Sequence, residues 1–199
     1  MKHKEKKEKS RGKLLLSLFI IITMVSGTIG FIFGFRGNSN DVTDNNGVPI
    51  NSQSFDYNGH KFVKTQYGYS LNYNGILIPI DHLPQDVKDI ELPVINMNYN
   101  KFYVAFDPTE RDINMDYPMN KLLNILKIKG LNSFVACVNE KECPDIPIVN
   151  CNSDYKVFYF KKSEENKILE QDSCTIIQGD AFTVGKFVDR INYWLLGVQ

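Results

Sequence analysis

The chain has 199 residues, of which 43% are hydrophobic, 12% aromatic and 23% charged, a composition that excludes disordered and collagen-like proteins. Its 23 Lys+Arg balance 23 Asp+Glu, but the two signs are segregated. Residues 1–13 carry seven cations and two acids, residues 37–199 carry 15 Lys/Arg and 21 Asp/Glu, and Arg36 supplies the remaining cation. The acidic C-terminal part speaks against a nucleic-acid partner, because phosphates are met by Lys and Arg.

After the basic tail, Leu14–Phe35 runs 22 positions without a charge. As a helix it would extend roughly 33 Å, enough to cross a bilayer core, and a helix pairs every backbone polar group within itself. Ser17, Thr23 and Ser26 are tolerable there because a hydroxyl bonds back to a carbonyl one turn earlier. The run exceeds the apolar core of a cleaved leader, so the reading is a retained signal-anchor and a single pass. Cations concentrated before it place residues 1–13 in the cytoplasm and the remainder outside, with the bilayer as the first partner. Ser26, Gly30 and Gly34 recur every fourth residue, a face on which two helices can approach closely.

Residues 36–54 include the stretch GNSNDVTDNNGVPINSQS, too poor in apolar side chains to offset the entropy of ordering, and read as a flexible tether. The remainder, 55–199, is long enough for its own core. Asn58-Gly59 and Asn74-Gly75 each separate two alternating runs, which is the strongest short hairpin signal. A helical turn follows His82-Leu83-Pro84, and Lys101–Phe106 reads as a strand. Asp116 is the expected cap of a helix in which Met119, Leu122, Leu123 and Leu126 share a face, stopped by Gly130. Strand-like runs at Phe134–Val138, Val157–Phe160 and Thr175–Ile177 precede a last helix, Ala181–Leu196, ending at Gly197. Together these predict an α+β fold after the transmembrane helix: a mainly antiparallel sheet with two principal helices on one face. Closely spaced strands leave little room for crossover helices, which argues against a doubly wound parallel sheet.

All four cysteines, Cys137, Cys143, Cys151 and Cys174, lie beyond the apolar run. An even count outside the cytoplasm predicts two disulfides, with three connectivities open. Folding Val157–Phe160 back onto the segment after Lys167 would bring Cys151 toward Cys174 and leave Cys137 for Cys143. By loop closure those bridges contribute about 3.4 and about 2.4 kcal/mol. Intervening stretches of 5, 7 and 22 residues lack the closely spaced pair of a zinc site, and no Cys-x-x-Cys redox motif occurs.

No catalytic, phosphate-binding or dinucleotide motif is present, so no cofactor and no metal is expected. Asp81-His82 is a candidate acid–base couple, although a lone His at a turn is more often a capping or surface residue. Asp107, Glu110, Asp112 and Asp116 lack the spacing of a calcium loop and read as caps and turn residues. Tyr57, Tyr67, Tyr69 and Tyr73 offer a binding face or simply satisfy strand positions. Asp189 and Arg190 read as helix-surface ions, with an anion or partner at Arg190 as the sharper idea.

The stretch Cys174-Thr-Ile-Ile-Gln-Gly179, followed by Asp189-Arg190-Ile-Asn-Tyr193-Trp-Leu-Leu196-Gly197, resembles uncharacterised single-pass membrane-anchored archaeal proteins with a cysteine-bridged extracytoplasmic domain. The resemblance implies membrane topology and cysteine crosslinking for that part of the chain, and no activity. The functional expectation is a membrane-anchored extracytoplasmic binding or structural module. The alternatives are a tethered hydrolase-like enzyme using Asp81 and His82 with an acid from the 107–116 loop, and a subunit of a cell-surface assembly.

Overall fold

Two Asn-Gly turns build the first sheet. The computed structural model describes residues 54–66 and 68–198. Strands β1 (Ser54–Tyr57), β2 (His60–Thr65), β3 (Gly68–Tyr73) and β4 (Ile76–Ile80) form an antiparallel meander in chain order. Asn58 and Gly59 have φ of 49° and 78°, and Asn74 and Gly75 of 51° and 84°, the left-handed pairs that a type I′ turn requires. Tyr57 opposite His60 and Tyr73 opposite Ile76 flank those turns. That register buries Phe62, Leu71, Ile78 and Ile80, since a slip of one residue would turn each to the other face.

The second sheet has five strands, β5 (Phe102–Phe106), β6 (Ser133–Cys137), β7 (Lys156–Lys162), β8 (Lys167–Gln171) and β9 (Cys174–Gly179), in the order β6-β5-β7-β9-β8. Strands β6, β5, β7 and β9 are parallel, and only β8 runs against its neighbour. The α+β class stands, but the single, mainly antiparallel sheet is corrected to two sheets, one of them mostly parallel. Parallel neighbours need a long connection, most often helical, and that between β5 and β6 holds the helix Asp116–Ile128. Here the β6–β7 connection, 138–155, is an irregular loop, and the β7–β9 connection contains β8 itself.

Among the described residues there are three α-helices: α1 (Pro84–Val87), α2 (Asp116–Ile128) and α3 (Ala181–Leu196). The expected cap of α2 is also corrected. Asp116 is its first residue and its carboxylate pairs with Arg111 at 2.5 Å, while Met115 sits at the cap position without a side-chain bond. In α3 the carboxylate of Asp180 accepts from the backbone N–H of Phe182 and Thr183, and Gly197 closes the helix at φ 76°, a conformation that costs glycine nothing.

One large core joins both sheets to both long helices. Helices α2 and α3 cover the face of the second sheet that carries Phe102, Val104, Phe158, Phe160 and Ile177, and Tyr193 of α3 meets the ring of Phe62 in the meander. The opposite face holds a smaller cluster, Tyr103, Ala105, Ala136, Val157 and Cys174, reached by Val149 from the 138–155 loop. Bridges Cys137–Cys143 and Cys151–Cys174 pin that loop at either end. The route to the second bridge differs from the expected one: β7 does not fold back onto the segment after Lys167 but lies parallel to β9, with Val157 opposite Cys174.

Among the described residues no helix is long and apolar enough to cross a membrane. Leu14–Phe35, the face of Ser26, Gly30 and Gly34, nearly all of the tether, and Tyr67 lie outside the described residues.

Candidate functional site

The most concentrated chemistry sits where β4 ends and α2 and α3 meet. Chain geometry brings four ionisable side chains together from three elements. His82 follows β4, and its Nδ1 lies 2.8 Å from Asp189 Oδ2 of α3, with its own backbone N–H donating to the same oxygen at 3.1 Å. The other Asp189 oxygen is 2.5 Å from Lys121 Nζ of α2, and that ammonium also donates to Asp81 at 2.6 Å. Tyr117 donates to the second Asp81 oxygen at 3.2 Å, and Tyr193 donates to the His82 carbonyl at 2.5 Å.

Burial makes this arrangement expensive and specific. Asp189 is 1% exposed and Lys121 8%, so neither charge has water to return to. An ion pair at that depth survives only when the lone pairs and protons are met by partners. Burial pulls the Lys121 ammonium down, but the charge and hydrogen bond of Asp189 and the contact with Asp81 outweigh it, and its pKa ends above the usual lysine value. Burial, with the charges of Asp189, Asp86 and Asp81, pushes the Tyr193 hydroxyl far up.

The acid–base couple expected from the sequence is re-partnered. Asp81 faces Lys121 and Tyr117, whereas the carboxylate that orients His82 is Asp189. A carboxylate accepting from Nδ1–H leaves Nε2 as the working nitrogen, the geometry in which an acid holds a general base. His82 Nε2 makes no hydrogen bond among the described residues, and its ring stands edge-on to Phe182 at 5.9 Å. No serine, threonine or cysteine is bonded to it among those residues. The site therefore has a base and its orienting acid but no attached nucleophile.

The acidic residues of 107–116 lie elsewhere, around the carboxyl ends of β5 and β7. Asp107 and Asp112 cap the short turns Pro108–Glu110 and Ile113–Met115, accepting from Thr109 and Asn114. The Thr109 hydroxyl holds Asp107 below the usual carboxylate range, and the Asn114 N–H does the same for Asp112. The recess between them encloses about 10 Å³, room for one water. Burial, with Asp107 and Glu110 nearby, pushes the Tyr159 hydroxyl at its edge up to about 12. Among the described residues no group of acids, His or Cys is arranged to hold a metal ion.

The remaining expectations resolve as packing. Tyr57, Tyr69 and Tyr73 lie partly buried against the large core, which serves strand packing rather than an open binding face. His60 Nε2 meets the Gly197 carbonyl at 3.2 Å. Arg190 donates to the Ile90 carbonyl at 3.0 Å, tying α3 to the segment after α1. Asp189, expected on the helix surface, is the most buried member of the cluster.

Lys121, Asp189 and Tyr193 are functional candidates that sequence reasoning missed. A signal for Lys121 exists: it stands three residues after Pro118 and four before Ile125, both buried, which puts a charge on the apolar face. Comparison of the chain with protein-family models, with curated proteins and with solved structures finds no match in any of the three.

Proposed function

We propose that the chain is a membrane-anchored, extracytoplasmic binding or structural module. In this reading residues 1–13 stay in the cytoplasm, Leu14–Phe35 crosses the bilayer once, and the domain from Phe55 onward faces outward. The observation that carries it is that all four cysteines stand in two bridges, with none free among the described residues, an economy suited to an oxidising compartment. A structural role is supported by the pairing of the buried ammonium groups of Lys121 and Lys156 with carboxylates of the same domain.

The test combines thiol chemistry with topology. Unreduced protein from cells should take up no alkylating reagent at Cys137, Cys143, Cys151 or Cys174, and protease added to intact cells should remove a C-terminal tag while sparing an N-terminal one. Four reactive thiols together with a protected C-terminal tag would overturn the assignment.

A tethered enzyme is the second reading, favoured by the 2.8 Å contact that holds His82 against Asp189. It requires that His82→Ala abolish turnover of an ester or amide substrate while the thermal transition of the protein stays within a few degrees.

A further inference from the structure

We infer that the groove between β4 and α2 binds a small carboxylate with an apolar body, which makes it the ligand site of the binding module proposed above and rests on that reading. Strand β4 is the outer strand of the meander. Between it and α2 lies a space of about 330 Å³, within the size range of small-molecule sites. Ile78 and Ile125 are core residues that also line it, with Leu77, Pro79 and Ile128 beside them. Leu77 is 44% exposed, an apolar side chain left open at the edge of a sheet.

The backbone at this edge disfavours an added strand. Tyr73 and Ile76 flank the two-residue turn, so they form a hydrogen-bonded pair, and bonding alternates from there along the ladder. Leu77 and Pro79, opposite Asn72 and Ser70, occupy the non-bonded positions and turn their backbone outward. Proline has no N–H to offer, so an incoming strand would find a donor at Leu77 and none at Pro79. Recognition here must rest on side chains.

Those side chains carry one sign. The ionisable residues lining the groove are Lys121 and Lys127, and no acid lines it, in a region whose acids outnumber its cations by 21 to 15. The Lys121 ammonium is committed to Asp81 and Asp189. The Lys127 ammonium and the Asn124 side-chain amide make no hydrogen bond or ion pair among the described residues. The helix dipole favours a cation at the end of α2, but it leaves that cation's donors unused. An ammonium and an amide donor beside an apolar trough complement a carboxylate on a hydrocarbon or aromatic body.

The experiment uses the full chain in lipid nanodiscs with carbon-13 labels on the isoleucine δ methyl groups, titrated with 4-phenylbutyrate and with its neutral amide. Methyl signals of Ile78, Ile125 and Ile128 should move saturably while those of Ile177 and Ile191 stay fixed, and the acid should bind about tenfold tighter than the amide. Lys127→Gln should bring the acid to the affinity of the amide and leave the amide unchanged. Leu77→Asp, at an exposed position, should remove binding of the acid without changing the remaining spectrum. Absence of saturable shifts up to about 10 mM, or equal binding of acid and amide, would overturn the inference. So would groove methyls that move with protein concentration alone, pointing to a second copy, or with anionic lipid alone, pointing to the membrane. Free cysteines with binding retained would sink the location and spare the groove; intact bridges without binding would do the reverse.

Discussion

Two lysines are buried in this domain, and their surroundings make them opposites. Lys121 stands between two carboxylates, Asp81 and Asp189, and its affinity for its proton ends above that of a free lysine. Lys156, fully buried at the start of β7, has one carboxylate, Glu170, whose other oxygen accepts from Thr175 at 2.7 Å. Burial lowers its pKa, and the hydrogen bond and charge of Glu170 restore only part. One counter-charge does not offset the loss of water around an ammonium; two do. The Lys121 cluster is therefore a lock between β4, α2 and α3 that keeps its charge. Lys156 holds its proton less firmly, at the start of the central strand of the second sheet.

The largest expected effect is at the lock. Asp189→Ala strips Lys121 of its buried partner and leaves the His82 ring and backbone N–H without an acceptor. Breaking a buried pair from one side costs about 3 to 5 kcal/mol, read as a fall in the urea midpoint at constant slope. Lys121→Met should cost about 3 kcal/mol, and the double variant much less than the sum, because each change removes the other's partner. Additive losses would show that the two residues act separately and would break the contrast with Lys156.

How much of this was legible follows from the range of the interactions. The two hairpins were readable because Asn-Gly dictates its own backbone. The last helix was readable because its apolar face and terminal glycine lie within one segment. Strand β8 is faint in the sequence, since Lys167–Gln171 has no strong apolar alternation, and its partner is β9 rather than β7. The parallel order of the second sheet is a matter of which distant strands meet, and nothing local to Phe134–Val138 or Val157–Phe160 encodes it. The candidate site shows the same division. His82 and Asp81 were found as neighbours in sequence, but Asp189 lies 107 residues from His82, and its partner is decided only when α3 packs against α2.

Removing the bridges probes the other region. Cys174 is followed directly by Thr175, the residue that bonds Glu170, so Cys151–Cys174 steadies the strands around Lys156. Replacing both cysteines by serine should cost about 3.4 kcal/mol by loop closure, against about 2.4 kcal/mol for the Cys137–Cys143 pair. Hydrogen exchange should quicken in β7 and β9 with the first change and leave α2 and α3 protected. Loss of protection in the helices would mean that the two regions open as one unit.

Replacing Lys156 and Glu170 together by Met and Leu should leave stability within about 1 kcal/mol of the parent, because similar apolar volume removes a desolvated pair, at the expense of an acceptor for Thr175.

Alkaline titration gives the smallest signal and the sharpest sign. Lys121 holds its proton more tightly folded than unfolded, so its stabilisation is complete below the ordinary lysine value of 10.5 and is lost as pH rises through its raised folded value. Lys156 does the opposite: its penalty is present below its lowered folded value and is lifted as pH climbs from there toward 10.5. Tyr193 and Tyr159, both with raised values, add to the alkaline loss in every variant and cancel in the differences. Tyr117, also raised but held down in part by the Lys121 charge, adds a larger loss in Lys121→Met and so works against the expected difference there. As pH climbs from the lowered folded value of Lys156 toward 10.5, the parent should gain stability relative to the Lys156→Met, Glu170→Leu double variant. Above that range it should lose stability relative to Lys121→Met. Urea midpoints collected across the range decide it, and parallel curves for all three proteins would show that the number of counter-charges does not distinguish these lysines.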